Sequence, residues 1–130
     1  MGSNPTPTAI FFVMNRKLYL AKFKKKLTGQ IYYKIGQCYQ YDAAERFKVE
    51  SEQYKDYDIT IVASAWGPAE EVDKWEGIIL DSKDKEFWIN DNFSGVSELR
   101  VYTIQEVVKL VNAFKHLQEA WYKKRTTTGH

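Results

Sequence analysis

The fold follows from the stretch Gln30-Ile-Tyr-Tyr-Lys-Ile-Gly36, an alternating, tyrosine-rich run that ends in a glycine. β-Branched and aromatic residues at a period of two predict a strand over Ile31–Cys38, entered through a turn at Thr28-Gly29. The upstream run Lys17–Lys24 alternates in the same way and predicts the preceding strand. Two alternating runs joined by a short glycine-containing turn indicate an antiparallel hairpin.

The regions on either side extend this hairpin. The apolar run Ala9–Met14 predicts a further strand, which Asn15-Arg16 joins to the hairpin as a turn. On the other side, Asp42 and Glu45 form a capping-box pattern and predict the start of a helix. The β-branched run Asp58–Ser64 predicts the next strand.

Two later segments show helical signals. Pro68 suits the first position of a helix whose buried stripe is predicted to be Val72, Trp75 and Ile79. Thr103 and Glu106 form a second capping box. It opens a long helix with apolar residues at helical spacing, namely Ile104, Val107, Val108, Val111, Phe114, Leu117 and Trp121.

This order of elements predicts an α+β fold, with a small, mainly antiparallel sheet of three to four strands flanked by helices. A chain of 130 residues with 44% hydrophobic residues is long enough to bury one core. We therefore expect a single domain over residues 9–123, with flexible segments at 1–8 and 124–130.

Composition excludes several kinds of site. Cys38 is the only cysteine, so an intrachain disulfide and a cysteine metal cage are excluded, and the two histidines, His116 and His130, argue against a zinc site. No stretch resembles a signal region or a membrane span, so we expect a soluble, cytoplasmic protein without a membrane partner.

The net charge is +2, with basic clusters at Lys22–Lys26 and Lys123–Arg125. These clusters suit a sheet edge and a helix C-terminus, and together they also suit nucleic acid.

Four segments lie in a fixed order along the chain: Leu18-Tyr-Leu20, Tyr33-Lys-Ile-Gly36, Glu45-Arg-Phe47, and Trp66-Gly-Pro68 leading to Trp75-Glu76. In this order and spacing the chain resembles the GIY-YIG nuclease superfamily. It is most similar to the phage and mobile-element branch, in which the second motif reads Tyr-Lys-Ile-Gly. The first motif departs from the family pattern, since it reads Lys17-Leu-Tyr19, and Lys34 stands where most members have tyrosine.

The resemblance implies a site made of Tyr19, Lys34, Arg46 and Glu76. A phenol is a poor base at neutral pH, so Lys34 on the adjacent strand is expected to lower the pKa of Tyr19. Arg46 presents a planar fork suited to phosphate, and Glu76 a carboxylate suited to hydrated Mg²⁺ or Mn²⁺. From the residues alone, Tyr19 fits a half-buried sheet tyrosine better than a catalytic one. Arg46 also fits a solvent-facing charge, and Glu76 a salt-bridge partner.

The implied function is a divalent-metal-dependent endonuclease that hydrolyses DNA and leaves 5′-phosphate and 3′-hydroxyl ends. A phage-encoded member would act in the host cytoplasm, and specificity would come from loops, the Lys22–Lys26 cluster, a homodimer or a separate partner. The alternatives are an inactive nucleic-acid-binding module of the same fold and a protein-interaction domain built on the last helix. Glu98 and Asn92 fit either a supporting role at the site or ordinary surface pairing.

Overall fold

The computed structural model describes residues 14–39, 42–48, 51–83 and 99–128, without the side chains of Arg46, Ser51 and residues 125–128. The elements run in the order β1 (Asn15–Lys25), β2 (Ile31–Cys38), α1 (Glu45–Lys48), a 3-10 turn (Ser51–Tyr54), β3 (Tyr57–Pro68), α2 (Ala69–Asp81), β4 (Leu99–Arg100) and α3 (Ile104–Thr128). The predicted α+β class is confirmed: one open, antiparallel four-stranded sheet carries two long helices. In the described part of the chain, no helix is long and apolar enough to cross a membrane.

The sheet has the order β3-β1-β2-β4, so β1 lies in its interior. The β1–β2 hairpin turns at Gly29, whose φ of 74° lies in the left-handed region that favours glycine. The predicted β2 is confirmed to the residue. The predicted turn at Asn15-Arg16 is wrong, because both residues continue β1 and pair with Pro68 and Gly67 of β3.

Alternation along β1 separates two apolar layers on the two sides of the sheet. The side that carries Tyr19, here called the Tyr19 face, is covered by α1 and the 3-10 turn. Its core is rich in aromatic residues, among them Tyr19, Phe23, Tyr32, Phe47, Tyr54 and Tyr57. The opposite side, here called the Leu18 face, is covered by α2 and α3 through Leu18, Leu20, Ile35, Ala65, Val72, Ile79 and Phe114.

Helix α2 follows β3 without a loop, and Pro68 is its N-cap residue. Val72 and Ile79 are buried as predicted, but the prediction for Trp75 is wrong, since 39% of this residue is exposed. A helix that lies on a sheet buries a narrow stripe, and Glu76 occupies the position between Val72 and Ile79 on that stripe. Trp75 therefore lies at its rim.

Helix α3 begins with the predicted capping box: Thr103 Oγ1 accepts from the backbone N–H of Glu106 at 3.1 Å, and Glu106 Oε1 accepts from that of Thr103 at 3.0 Å. Two apolar residues of its predicted stripe, Ile104 and Val108, are exposed instead. Val107, Leu110 and Val111 pack against the core of the Leu18 face and Phe114 is buried in it, so the stripe of α3 that faces the sheet leaves Ile104 and Val108 outside. The helix continues to Thr128, so residues 124–128 are helical.

The other predicted capping box, at Asp42 and Glu45, is not formed. Asp42 Oδ1 accepts from the backbone N–H of Ala44 at 3.0 Å, and the Glu45 carboxylate pairs with Lys48 at 2.9 Å. This local turn precedes a helix of only four residues. The predicted strand Ala9–Met14, apart from Met14, and the expected arm at 1–8 lie outside the described residues.

Candidate active site

Tyr19 lies across β1 from Gly36 of β2 and from Ser64 of β3. Its ring lies over Gly36, since a Cβ added at position 36 would come 2.6 Å from Tyr19 Cζ and 2.9 Å from Lys34 Nζ. Among the described glycines only Gly29 has a positive φ, so the requirement at position 36 is for space and not for backbone freedom. The glycine of the opening motif therefore makes the room that the tyrosine of the previous strand fills.

Lys34 lies next to Tyr19 on the same face of the sheet. Tyr19 pairs with Gly36 of β2, and Lys34, two residues before Gly36, projects from the same face. Its Nζ donates a hydrogen bond to Tyr19 Oη at 3.4 Å and lies 5.6 Å from the centre of the ring. Both side chains are buried, with 1% of Tyr19 and 6% of Lys34 exposed. A buried ammonium requires polar partners, and the phenol oxygen is one of them. The structure thus brings two of the four predicted site residues into contact.

Arg46 belongs to α1, which packs against the same tyrosine. The next residue, Phe47, places its ring edge-on against Tyr19, with 5.5 Å between ring centres and an interplanar angle of 87°. Phe47 also contacts Phe23 in the same geometry at 5.4 Å. The backbone of Arg46 is therefore held beside Tyr19. Its side chain is outside the description, so its approach to the site stays a prediction.

Glu76 belongs to α2, on the other side of the sheet. It follows Val72 by four residues and precedes Ile79 by three, and both of those residues pack on the Leu18 face. Glu76 is partly buried and has an interaction partner. The structure therefore places Tyr19 and Lys34 on one face of the sheet and the helix of Glu76 on the other.

A hydrogen-bonded chain fixes α2 to the hairpin. Arg16 Nη1 donates to Gln37 Oε1 at 3.0 Å, and Gln37 Nε2 donates to Asp73 Oδ1 at 2.6 Å. Arg16 also lies over the ring of Tyr39, 4.8 Å from its centre. These contacts set the position of the helix that carries Glu76 relative to β1 and β2.

The donor set for a metal ion is small. Among the residues that the structure describes, no group of three histidine, cysteine, aspartate or glutamate side chains could hold a metal. Magnesium commonly binds through one or two carboxylates and keeps several waters, so one glutamate is chemically sufficient for it. Glu98 and Asn92 lie outside the described residues, and their roles stay open.

Lys17 and Trp66 form a neighbouring pair; both lie in the quoted sequence motifs, but the resemblance assigns neither of them a role at the site. Lys17 precedes Tyr19 by two residues and pairs with Trp66 across the β1–β3 ladder. Its Nζ lies 5.3 Å from the centre of the Trp66 ring. Burial lowers the pKa of Lys17 below its ordinary value, and Cys38 and Asp42 partly offset this effect. The alternation of β1 could have placed Lys17 on the Tyr19 face, but its pairing with Trp66 depends on the sheet register.

Two concave regions lie away from the Tyr19–Lys34 contact. An apolar cavity of about 60 Å³ has three tryptophans in its wall, Trp66, Trp75 and Trp121. A wider groove of about 330 Å³ beside α1 is lined by both aromatic and basic residues, including Phe47, Tyr54, Lys26, Lys48 and Lys55. The ammonium groups of these lysines therefore lie around the end of the Tyr19 face that is farther from Lys17.

Comparison of the chain with protein-family models, with curated proteins and with solved structures gives no match.

Proposed function

We propose that this protein is a divalent-metal-dependent DNA endonuclease that hydrolyses phosphodiester bonds in an active site containing Tyr19. One observation carries the proposal: Lys34 Nζ lies 3.4 Å from Tyr19 Oη in a space that only a glycine at position 36 leaves open. An ammonium in this position would favour the phenolate form of Tyr19, which a general base requires. The motif order that resembles the GIY-YIG superfamily supports the same function.

Each side chain has a distinct role in the proposed reaction. Tyr19 accepts the proton of the attacking water, and Lys34 favours the phenolate that this step needs. Arg46, on the helix that Phe47 packs against Tyr19, stabilises negative charge on the phosphoryl oxygens. Glu76 would hold Mg²⁺ or Mn²⁺, which when bound would supply Lewis-acid stabilisation of the leaving 3′ oxygen. This role requires the Glu76 carboxylate to reach the phosphate from a helix that packs on the Leu18 face.

The burial of Tyr19 adds a requirement to this mechanism. With 1% of the residue exposed, its hydroxyl does not meet a phosphate in the described conformation. Phe47 is one of the groups packed against the ring, and it belongs to a helix of only four residues. We therefore expect substrate binding to displace α1 and uncover Tyr19, as loop and lid motions do at other active sites.

The experiment is nicking of supercoiled plasmid by the purified chain, with Mg²⁺, with Mn²⁺ and with a chelator. The wild type is expected to convert supercoiled plasmid to nicked circles only with metal. Glu76→Gln is expected to slow nicking by about 10²- to 10³-fold, the range for losing one electrostatic contact to a transition state. Glu71→Gln is the matched control, because Glu71 lies on the same helix and pairs with Lys124 at the surface.

Two outcomes would count against the proposal in different ways. A wild-type protein that cuts no DNA with either metal would remove the nuclease function. If Glu76→Gln cuts at the rate of Glu71→Gln, the function would stand but Glu76 would not belong to the site.

The second candidate is a nucleic-acid-binding module that does not cut. The burial of Tyr19 and Lys34 favours it, as does the position of Glu76 on a helix of the opposite face. Such a module would bind DNA with an affinity that falls steeply with salt and would produce no nicked circles.

A further inference from the structure

The Tyr19 face continues past the tyrosine to a second cationic side chain. Lys17 and Tyr19 are alternate residues of β1, so they project from the same face about 6.8 Å apart along the strand. Lys17 differs from Lys34 in being only partly buried, and its neighbour Trp66 is also partly exposed. A ligand that lies along this face can therefore meet Lys17 and Trp66 in the described conformation.

The pair offers two different contacts within a short distance. The Lys17 ammonium is a point charge suited to a phosphate oxygen. The Lys17 ammonium lies over the Trp66 ring, 5.3 Å from its centre. A flexible lysine that turns to a phosphate would leave this flat indole surface to a nucleobase. A single nucleotide has both groups, joined by one sugar. A phosphate bound to Lys17 therefore keeps its own base within reach of Trp66.

The electrostatic environment of Lys17 also favours an anion. Burial removes hydration from Lys17 and lowers its pKa, and Cys38, a buried thiol, and the exposed Asp42 partly offset this effect. A phosphate beside the ammonium would replace the lost hydration by a charge-assisted hydrogen bond. The same site gives no comparable gain to a neutral ligand.

We propose that Lys17 and Trp66 form a subsite for one unpaired nucleotide, with its phosphate on Lys17 and its base stacked on Trp66. The position of this subsite next to the cleaved phosphodiester bond rests on the proposed function, which assigns the cleavage chemistry to Tyr19. A base inside a continuous duplex has both faces stacked on its neighbours. The subsite therefore selects DNA with an unpaired nucleotide beside the cut, such as a single strand, a flap or a frayed end.

The test is a binding experiment that does not depend on cleavage. Fluorescence anisotropy without metal would compare three labelled ligands: an oligothymidylate, a base-free strand of the same length, and a fully paired duplex. Wild-type protein is expected to bind the oligothymidylate more tightly than the other two. Trp66→Leu should weaken binding to the oligothymidylate by about 5- to 150-fold, the range for one base stacked on an aromatic side chain. Its binding to the base-free strand should not change.

Lys17→Gln is expected to act on the phosphate and not on the base. It should weaken binding to the oligothymidylate and the base-free strand by the same factor. It should also reduce the slope of log affinity against log salt by about 0.7, the value for one phosphate contact on a single strand. Lys24→Gln is the matched control, since Lys24 is exposed on the same strand but projects from the other face.

Trp66→Phe keeps an aromatic surface and should retain the preference for bases, which separates stacking from an effect on folding. If Trp66→Leu does not fold, the wild-type and Trp66→Phe preferences for oligothymidylate over the base-free strand decide the question. Equal wild-type affinity for these two strands would overturn the subsite, and so would a Lys17→Gln variant that binds like Lys24→Gln. A protein that shows the predicted binding pattern but never nicks plasmid would keep the subsite and lose the nuclease function.

Discussion

Gly36→Ala should destabilise the fold because the added methyl group has no space. The new Cβ would lie 2.6 Å from Tyr19 Cζ and 2.9 Å from Lys34 Nζ, both shorter than a van der Waals contact. The Tyr19 ring cannot withdraw easily, since it is buried and packed against Phe47. Overpacking of this kind costs about 1 to 3 kcal/mol. In urea, where unfolding slopes are about 1 to 3 kcal/mol per molar, the midpoint should fall by roughly 1 M.

Gly77→Ala is the control, because its free energy of unfolding is expected to rise instead of fall. Gly77 lies inside α2, and nothing is within 4 Å of the position that its Cβ would take. Alanine is favoured over glycine in a helix by about 1 kcal/mol, so this variant should be more stable than the wild type. The two variants should therefore differ by about 2 to 4 kcal/mol in free energy of unfolding.

A double-mutant cycle tests whether Tyr19 causes the effect. Tyr19→Phe removes the hydroxyl oxygen that lies over Gly36, so Gly36→Ala should cost less in that background than in the wild type. The measurement is equilibrium urea unfolding followed by circular dichroism for the four proteins. If Gly36→Ala is as stable as Gly77→Ala, the ring of Tyr19 does not lie over β2 and the site geometry is wrong.

Two further predictions concern stability. Phe47→Ala removes a buried ring packed edge-on against Tyr19 and should lower the free energy of unfolding by about 3 to 5 kcal/mol in urea titrations; a loss below about 1 kcal/mol would show that α1 does not pack there. The pKa of Glu106 is lowered, first by the backbone hydrogen bond from Thr103 and then by Lys83, so its stabilising contribution is complete above its ordinary pKa and is lost as the pH falls through the lower folded-state pKa. Unfolding free energies measured from neutral to acidic pH should therefore fall less for Glu106→Gln than for the wild type, and parallel curves would contradict this assignment.

The sequence determines the hairpin well because its signals are local. Alternation and a glycine turn predict β2 over Ile31–Cys38. They also place Lys34 on the same face of the strand as Tyr32 and Gly36. The capping box at Thr103 and Glu106 is formed because its partners are three residues apart. The same pattern at Asp42 fails, since a tighter turn to Ala44 takes the carboxylate.

The sequence does not determine features that depend on register or on helix orientation. Lys17 and Trp66 are 49 positions apart and meet only because β1 pairs with β3 in one register. The exposure of Trp75 follows from the rotation of α2 about its axis, which the packing of Val72 and Ile79 sets. The side of the sheet on which α2 lies, and with it the location of Glu76, also depends on tertiary packing.

The most direct test of the nuclease proposal is the nicking rate of Tyr19→Phe. The substitution removes only the hydroxyl that Lys34 contacts and keeps the ring that packs against Phe47. Tyr122→Phe makes the same chemical change at an exposed tyrosine of α3 and serves as the control. With metal and supercoiled plasmid, Tyr19→Phe should nick about 10²- to 10⁴-fold more slowly than the wild type, the range for losing a general base, while Tyr122→Phe keeps the wild-type rate. Equal nicking rates for the two folded variants would contradict the assignment of the chemistry to Tyr19.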